Sequence, residues 1–155
     1  MITDALAPAR SLAARSDLVV VSTLDGHPDT RALFNLLKLR AEAVASGPAA
    51  LDTPFASWLG TNTSSLKVQQ IRRDPRVCLY YADPAAFEGL SLQGTVEEVF
   101  DPAVRAAIWT EAWSMYYPGG REGGDFTLLR FRPERGRYYH SLEVLAFDAS
   151  TGTPL

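Results

Sequence analysis

The sequence predicts a mainly β, α+β fold: an antiparallel β-barrel, closed or split, of about six or seven strands with two or three peripheral helices. Three observations carry this reading. Short β-branched and aromatic runs recur along the chain with Gly, Pro, Asn and Asp between them, the pattern of strands joined by tight turns. Alternation with period two is clearest in Thr95-Val96-Glu97-Glu98-Val99 and its neighbours, as expected of strands with one buried face. Clear helical spacing behind a capping residue occurs at only two places, after the third strand and again late in the chain. With 155 residues against a usual domain size of roughly 100 to 150, residues 1–155 are expected to form a single domain.

The elements follow in order. Residues 3–15 are Ala-rich, with Leu6 and Leu12 apolar and Pro8 tolerable only in a first turn, and they predict a short helix. Leu18 to Leu24 and Thr30 to Leu37 flank the turn residues Asp25-Gly26-His27-Pro28 as a hairpin. Residues 40–54 hold Gly47-Pro48 and Thr53-Pro54 among alanines, a connection with one helical turn near Ala41 to Ala45. A connection of this length is as readily a site cover as a surface excursion. Phe55 to Gly60 is the next strand, and Leu66, Val68 and Ile71 then space a helix that ends before Asp74-Pro75. Val77–Tyr81, Leu90–Phe100, Phe126–Phe131 and Tyr138–Phe147 complete the strands. Asp101-Pro102 starts a second clear helix, in which Val104, Ile108, Ala112 and Met115 repeat at 4, 4 and 3 until Tyr117-Pro118-Gly119-Gly120.

Composition narrows the function classes. Apolar residues make up 46% and charged residues 21% of the chain, which supports a packed core and argues against disorder. Fifteen Lys and Arg against eighteen Asp and Glu leave a net charge of −3. Neither nucleic acid nor an anionic membrane is attracted globally, so any anion site is local. Aliphatic runs such as Leu18–Val21 fall far short of the roughly 20 residues that cross a bilayer. Asp4 lies early with no basic stretch and apolar run behind it, so a secretory signal is not expected and a cytoplasmic location is. Cys78, His27 and His140 give neither a disulfide nor a zinc-ligand spacing. Cys78 is expected to be a small core residue in mid-strand.

The segment richest in chemistry is Trp58-Leu59-Gly60-Thr61-Asn62-Thr63-Ser64-Ser65-Leu66-Lys67. Hydroxyl and amide side chains meet the free N–H groups of a helix start, with a lysine in the first turn, and a phosphate is the natural guest. The same residues also satisfy a plain, well-furnished N-cap. Arg31 lies among apolar neighbours in a hairpin strand, where burial would call for an anionic partner or ligand. Gly119-Gly120-Arg121-Glu122-Gly123-Gly124 lacks dinucleotide-fingerprint spacing and is read as a mobile loop without a phosphate role. Trp109 and Trp113, four apart on one helix face, suit core or interface packing better than a cofactor stack.

The order Gly26-x-Pro28-x-x-Arg31, then Trp58-x-x-Thr61-Asn62-x-x-Ser65-x-Lys67-x-x-Gln70-Ile71-x-x-Asp74-Pro75-x-Val77, resembles the pyridoxamine 5'-phosphate oxidase-like FMN-binding split barrels. The later run Ile108-Trp109-x-x-x-Trp113-x-x-Tyr116-Tyr117-Pro118-Gly119-Gly120, with Leu128-Leu129-Arg130-x-x-Pro133-Glu134-x-x-x-Tyr138-Tyr139, is similar to the general stress protein 26 branch. The resemblance covers about residues 17–140 and implies a homodimer with FMN at the subunit interface. It implies that Arg31, Ser65 and Lys67 meet the phosphate, and that Ala32, Leu33, Gly60 and Thr61 border the isoalloxazine.

Two departures bear on activity. Leu66 stands where oxidases of the family carry a second basic residue, which weakens the phosphate clamp. The arginine-histidine pair that grips pyridoxamine phosphate is absent, the nearest material being Arg137-Tyr138-Tyr139-His140. The resemblance therefore implies an FMN-binding protein with flavin-dependent oxidoreductase chemistry, though not pyridoxamine phosphate oxidation, and no side chain stands out as an acid or base. Its rivals are a flavin-binding stress protein without turnover, and a relative holding F420 or haem in the same cleft.

Overall fold

In the computed structural model, which describes residues 4–155, a hairpin comes first in the barrel. Strand β1 (Leu18–Asp25) buries Val19, Val21 and Thr23 on one face and turns at Gly26 into β2 (His27–Phe34). Asp25 pairs with His27 across that turn, and Gly26 adopts a φ of +75°, which glycine tolerates without steric cost. Helix α1 (Ala7–Arg15) precedes the hairpin and buries Ala9, Leu12 and Ala13, with Pro8 in its first turn. Thr3, at the start of the helix expected over 3–15, lies outside the described residues.

The remaining elements are α2 (Leu36–Leu39), α3 (Ala41–Ala45), β3 (Ser57–Asn62), α4 (Leu66–Arg73), β4 (Arg76–Asp83), β5 (Glu88–Glu98), α5 (Pro102–Ile108), a 3₁₀ turn (Glu111–Met115), β6 (Phe126–His140), β7 (Glu143–Asp148) and β8 (Thr153–Pro154). The strands run in the order β2-β1-β4-β5-β6-β7-β8, every paired neighbour antiparallel. β3 pairs with residues 126–131 of β6, on the edge that β7 takes over from residue 135 onward. Among the described residues β2 is laddered only to β1 and β3 only to β6, and the two meet without a ladder between them. That gap is the split of a split barrel.

Two apolar clusters hold the sheet. The barrel interior is filled by Leu12 from α1 with Leu59, Leu79, Tyr81, Leu90, Phe131 and Phe147 from the strands. A second cluster lies over β3 and the start of β6, where Trp58, Phe126 and Leu128 meet Ile108 and Trp109 of the α5 region and Leu36 and Ala49 of the 36–51 connection. Trp58 Nε1 donates to the Ala49 carbonyl at 2.8 Å. The connection is mostly exposed, but it is pinned to the outer cluster by Ala49, with Ala43, Val44 and Leu51 half-buried against it.

Several sequence expectations are corrected. The second strand stops at Phe34, because Asn35 caps α2 by accepting from Leu37 N while its amide donates to the Ala13 and Ser16 carbonyls. The third strand is Ser57–Asn62 rather than Phe55–Gly60. The expected strands Phe126–Phe131 and Tyr138–Phe147 are instead one 15-residue strand, β6, followed by β7. Pro133 and Gly136, in the stretch left between those two expected strands, sit inside β6, opposite Gly94 and Phe147 respectively. The helix begun at Asp101 ends at Ile108, so Trp109 and Trp113 do not share a helix, although their rings still meet edge-on at 5.9 Å. Cys78 is half-buried on the outward face of β4, where Sγ lies 3.5 Å from Ser91 Oγ, and is not a core residue.

Gly94 marks an irregularity in the β5–β6 register, and a Cβ there would be driven into the Arg132 carbonyl oxygen. Backbone cannot swing aside as a side chain can. Gly94→Ala is therefore expected to destabilise the protein by about 3 kcal/mol, read as a lowered midpoint in urea. A midpoint equal to that of the parent would show that the bulge re-forms around alanine.

Candidate functional site

The split between β2 and β3 opens onto a cavity of about 580 Å³, within the range of small-molecule sites. One side is built from Ala32, Leu33 and Phe34 at the end of β2 and Gly60, Thr61 and Asn62 at the end of β3, with Lys67 from α4. The other side comes from the segment after α5, which contributes Trp113, Met115, Tyr116 and Tyr117. Leu36 and Leu39 of α2 join the two.

Of the seven residues expected from sequence, Ala32, Leu33, Gly60, Thr61 and Lys67 line this cavity together, whereas Arg31 and Ser65 stand outside its lining. Lys67 Nζ donates to Thr61 Oγ1 at 2.7 Å. Arg31 is turned toward the barrel, donating to Thr23 Oγ1 at 2.8 Å and Gln70 Oε1 at 3.1 Å and pairing with Asp29 at 2.9 Å. Ser65 is the N-cap residue of α4, yet its side chain makes no capping bond, and its Oγ is buried without a hydrogen-bond partner. Such an orphaned hydroxyl is uncommon and needs an explanation.

Charge around α4 is unbalanced toward the positive. Burial, and next the Arg31 charge, push the Lys67 ammonium below its ordinary range. In the window between that lowered value and the ordinary one, the unfolded chain binds more protons than the folded chain, so stability rises with pH there. Below the window the charged lysine is a standing cost in the absence of an anion. Asp29 is held below the usual carboxylate range by the Gln70 amide and then by Arg31, so the Arg31 charge already has a counter-ion, while the Lys67 charge has none within 4 Å among the described residues.

Sequence reasoning missed Asp125. Its carboxylate accepts from Asn62 Nδ2 at 2.7 Å and from Ser64 N at 3.0 Å, and its backbone carbonyl accepts from Thr63 N at 2.8 Å. Thr63 Oγ1 is meanwhile bonded to Thr127 Oγ1 at 2.6 Å. The loop read as four open polar side chains is therefore mostly satisfied within the protein, which leaves Ser65, Lys67 and the first-turn N–H groups of α4 for a guest. No local signal marks a partner 61 residues away in sequence. Trp113, Tyr116 and Tyr117 were legible as a motif but not as a wall of this cavity.

Residues 46–149 match the model of the family described as pyridoxamine 5'-phosphate oxidase like. A Clostridium acetobutylicum protein related to general stress protein 26 of B. subtilis, of the pyridoxinephosphate oxidase family, is 31% identical, with a TM-score of 0.74 over 95% of this chain and 96% of that one. General stress protein 26 from Bacillus anthracis aligns at 14% identity, TM-score 0.65, over 88% of this chain and 94% of that one. A heme binding protein from Mycobacterium smegmatis aligns at 20% identity, TM-score 0.68, over 96% of this chain and 59% of that one. The last two likenesses are of fold alone. No curated protein matches the chain. The family match over residues 46–149 and the 31% identity across nearly the whole chain make it a member of the pyridoxamine 5'-phosphate oxidase-like family, on its general stress protein 26 branch.

Proposed function

We propose that this protein binds FMN in the split between β2 and β3, as a cytoplasmic homodimer, and acts as a flavin-dependent oxidoreductase. The observation that carries the reading is the buried, partnerless Ser65 Oγ at the start of α4, two residues from a lysine that lacks a counter-ion. A phosphate satisfies both at once. Ser65 Oγ donates to it, Lys67 offers an ammonium, and the first-turn N–H groups add the positive end of the helix dipole. Arg31, paired with Asp29, acts there through its field rather than as a second clamp. Ala32, Leu33, Gly60 and Thr61 border the isoalloxazine.

When bound, FMN supplies the redox chemistry, and this chain's residues bind and orient it. The apolar lining excludes water, and no side chain of the cavity is cast as a catalytic acid or base. Neither histidine, His27 nor His140, lines the cleft, so an axial ligand to haem there would have to come from Met115, Tyr116 or Tyr117, whereas the buried Ser65 hydroxyl beside Lys67 fits a phosphate. The homodimer rests on the rim: Leu18, Phe34 and Leu39 are each about half exposed or more along the β1, β2 and α2 side of the cavity mouth, an apolar patch of the kind that marks an interface.

Titration of the protein with FMN is expected to quench flavin fluorescence to saturation, and undiminished fluorescence at excess protein would rule FMN out. Light scattering at micromolar concentration is expected to give a dimer, whereas a monomer would remove the interface from the site. Lys67→Ala separates the roles of the lysine. Without ligand its thermal midpoint is expected to equal or exceed that of the parent, because a charge without a counter-ion is removed. With FMN, affinity is expected to fall roughly ten- to a hundred-fold, about 1.5 to 3 kcal/mol. Riboflavin, which has no phosphate, is expected to bind both proteins alike; equal losses for the two flavins would assign Lys67 to the ring or the fold.

A further inference from the structure

We infer that the wall formed by Trp113, Met115, Tyr116 and Tyr117 is the binding face for an uncharged, planar aromatic molecule, seated beside the flavin as substrate. This rests on the FMN reading for the opposite side of the cavity and uses none of the residues assigned to FMN. The 3₁₀ turn Glu111–Met115 that carries the wall buries no residue of its own. Met115 is 76% and Tyr116 55% exposed, so the fold does not need their side chains.

The segment is nevertheless braced from three directions. Arg40 donates to the Ile108 carbonyl at 2.8 Å and reaches those of Ala107 and Trp109, at the end of α5 where the wall begins. Arg105 is buried, ion-paired to no carboxylate among the described residues, and donates to the Arg121 and Phe126 carbonyls where the wall ends. Asn62, at the end of β3, donates to the Tyr116 carbonyl. Behind the wall, Trp113 and Tyr117 pack against Phe126 with ring centroids 6.0 and 5.0 Å apart. Trp113 and Tyr117 thus anchor the segment on the outer cluster, while Met115 and Tyr116, which the fold leaves exposed, are held firmly for what they present to the cavity.

What it presents is aromatic faces and a thioether, which favour a flat π system. The charge of the guest follows from the neighbours. Glu111 accepts from Trp109 Nε1 at 3.1 Å, and Asp125, close enough to add to the upward push that burial gives the Tyr117 phenol, holds the loop opposite. Neither carboxylate lines the cavity, but Glu111 begins the turn that carries the wall and Asp125 is near Tyr117, so both disfavour an anion against the wall, while Lys67, the one cation among the described residues that line the cavity, belongs to the phosphate.

The test uses 2-naphthol and its anionic match 2-naphthoate, titrated calorimetrically into the FMN-loaded protein. 2-Naphthol is expected to bind, and 2-naphthoate at least ten-fold more weakly. Tyr116→Leu, an exposed position with little fold to lose, is expected to weaken 2-naphthol roughly five- to ten-fold and to leave FMN affinity within two-fold. An equal loss of FMN affinity would make the wall part of the flavin site and overturn the inference. So would equal binding of the two naphthyl compounds, or no binding of either. If FMN itself does not bind, the FMN reading fails separately, and 2-naphthol binding to the cofactor-free protein, lost in Tyr116→Leu, still upholds the wall.

Discussion

The site side of the molecule hangs from the first six residues of β6. Phe126 to Phe131 pair with β3 along one edge, while β5 pairs with residues 129–140 along the other. β3 has no other ladder. Its polar backbone would be orphaned without this pairing, at a cost of roughly 1 to 3 kcal/mol for each buried group. The same six residues carry Phe126 and Leu128 into the outer cluster and Leu129 and Phe131 into the barrel. Alternation along one strand thus joins the two cores and sets the height at which Gly60 and Thr61 face β2.

The split follows from what β2 lacks. β2 has β1 on one side and no ladder on the other, and its outward residues Ala32 and Phe34 are exposed. An open edge of this kind invites pairing with another chain, unless something other than a strand occupies it. Here α2, turned away at Asn35, and Lys67, bonded to Thr61, stand in the gap. The cavity is the space left where the sheet is prevented from closing.

Much of this was legible locally. Asp101-Pro102 announces a helix N-terminus, and Asp101 does accept from Ala103 N at 2.9 Å. Gly26, the Leu66–Arg73 helix and the single turn at Ala41–Ala45 were likewise readable from residue chemistry. The failures share a cause: a distant partner overrode a local pattern. The 4, 4, 3 spacing beyond Ile108 mimics a continuing helix, but Arg40 takes the last carbonyls of α5 and Trp109 turns out to bond Glu111. Pro133 and Gly136 mimic a turn, but Gly94 supplies the bulge opposite one and the Phe147 ring fills the space beside the other. Of the candidate site, the family resemblance named five residues that line one cavity together, while Asp125 and the aromatic wall are set by contacts that no window of the sequence spans.

Charge decides how firmly such a site can hold a phosphate. Arg31 and Lys67 suggest two cations, but Asp29 neutralises one, and Leu66 offers only a half-exposed aliphatic side chain where a second basic residue would sit. The folded protein therefore keeps about one uncompensated positive charge, one free hydroxyl and the end of an eight-residue helix for the anion. A phosphate near neutrality carries more negative charge than that arrangement supplies, and Asp125 stands in the same loop with a further carboxylate. If FMN is the guest, as proposed, the apolar cavity has to contribute a large share of its affinity, through area that riboflavin offers equally. The low charge that would weaken such a clamp also suits the neutral second guest inferred above, since a stronger positive field would draw anions to both halves of the cleft.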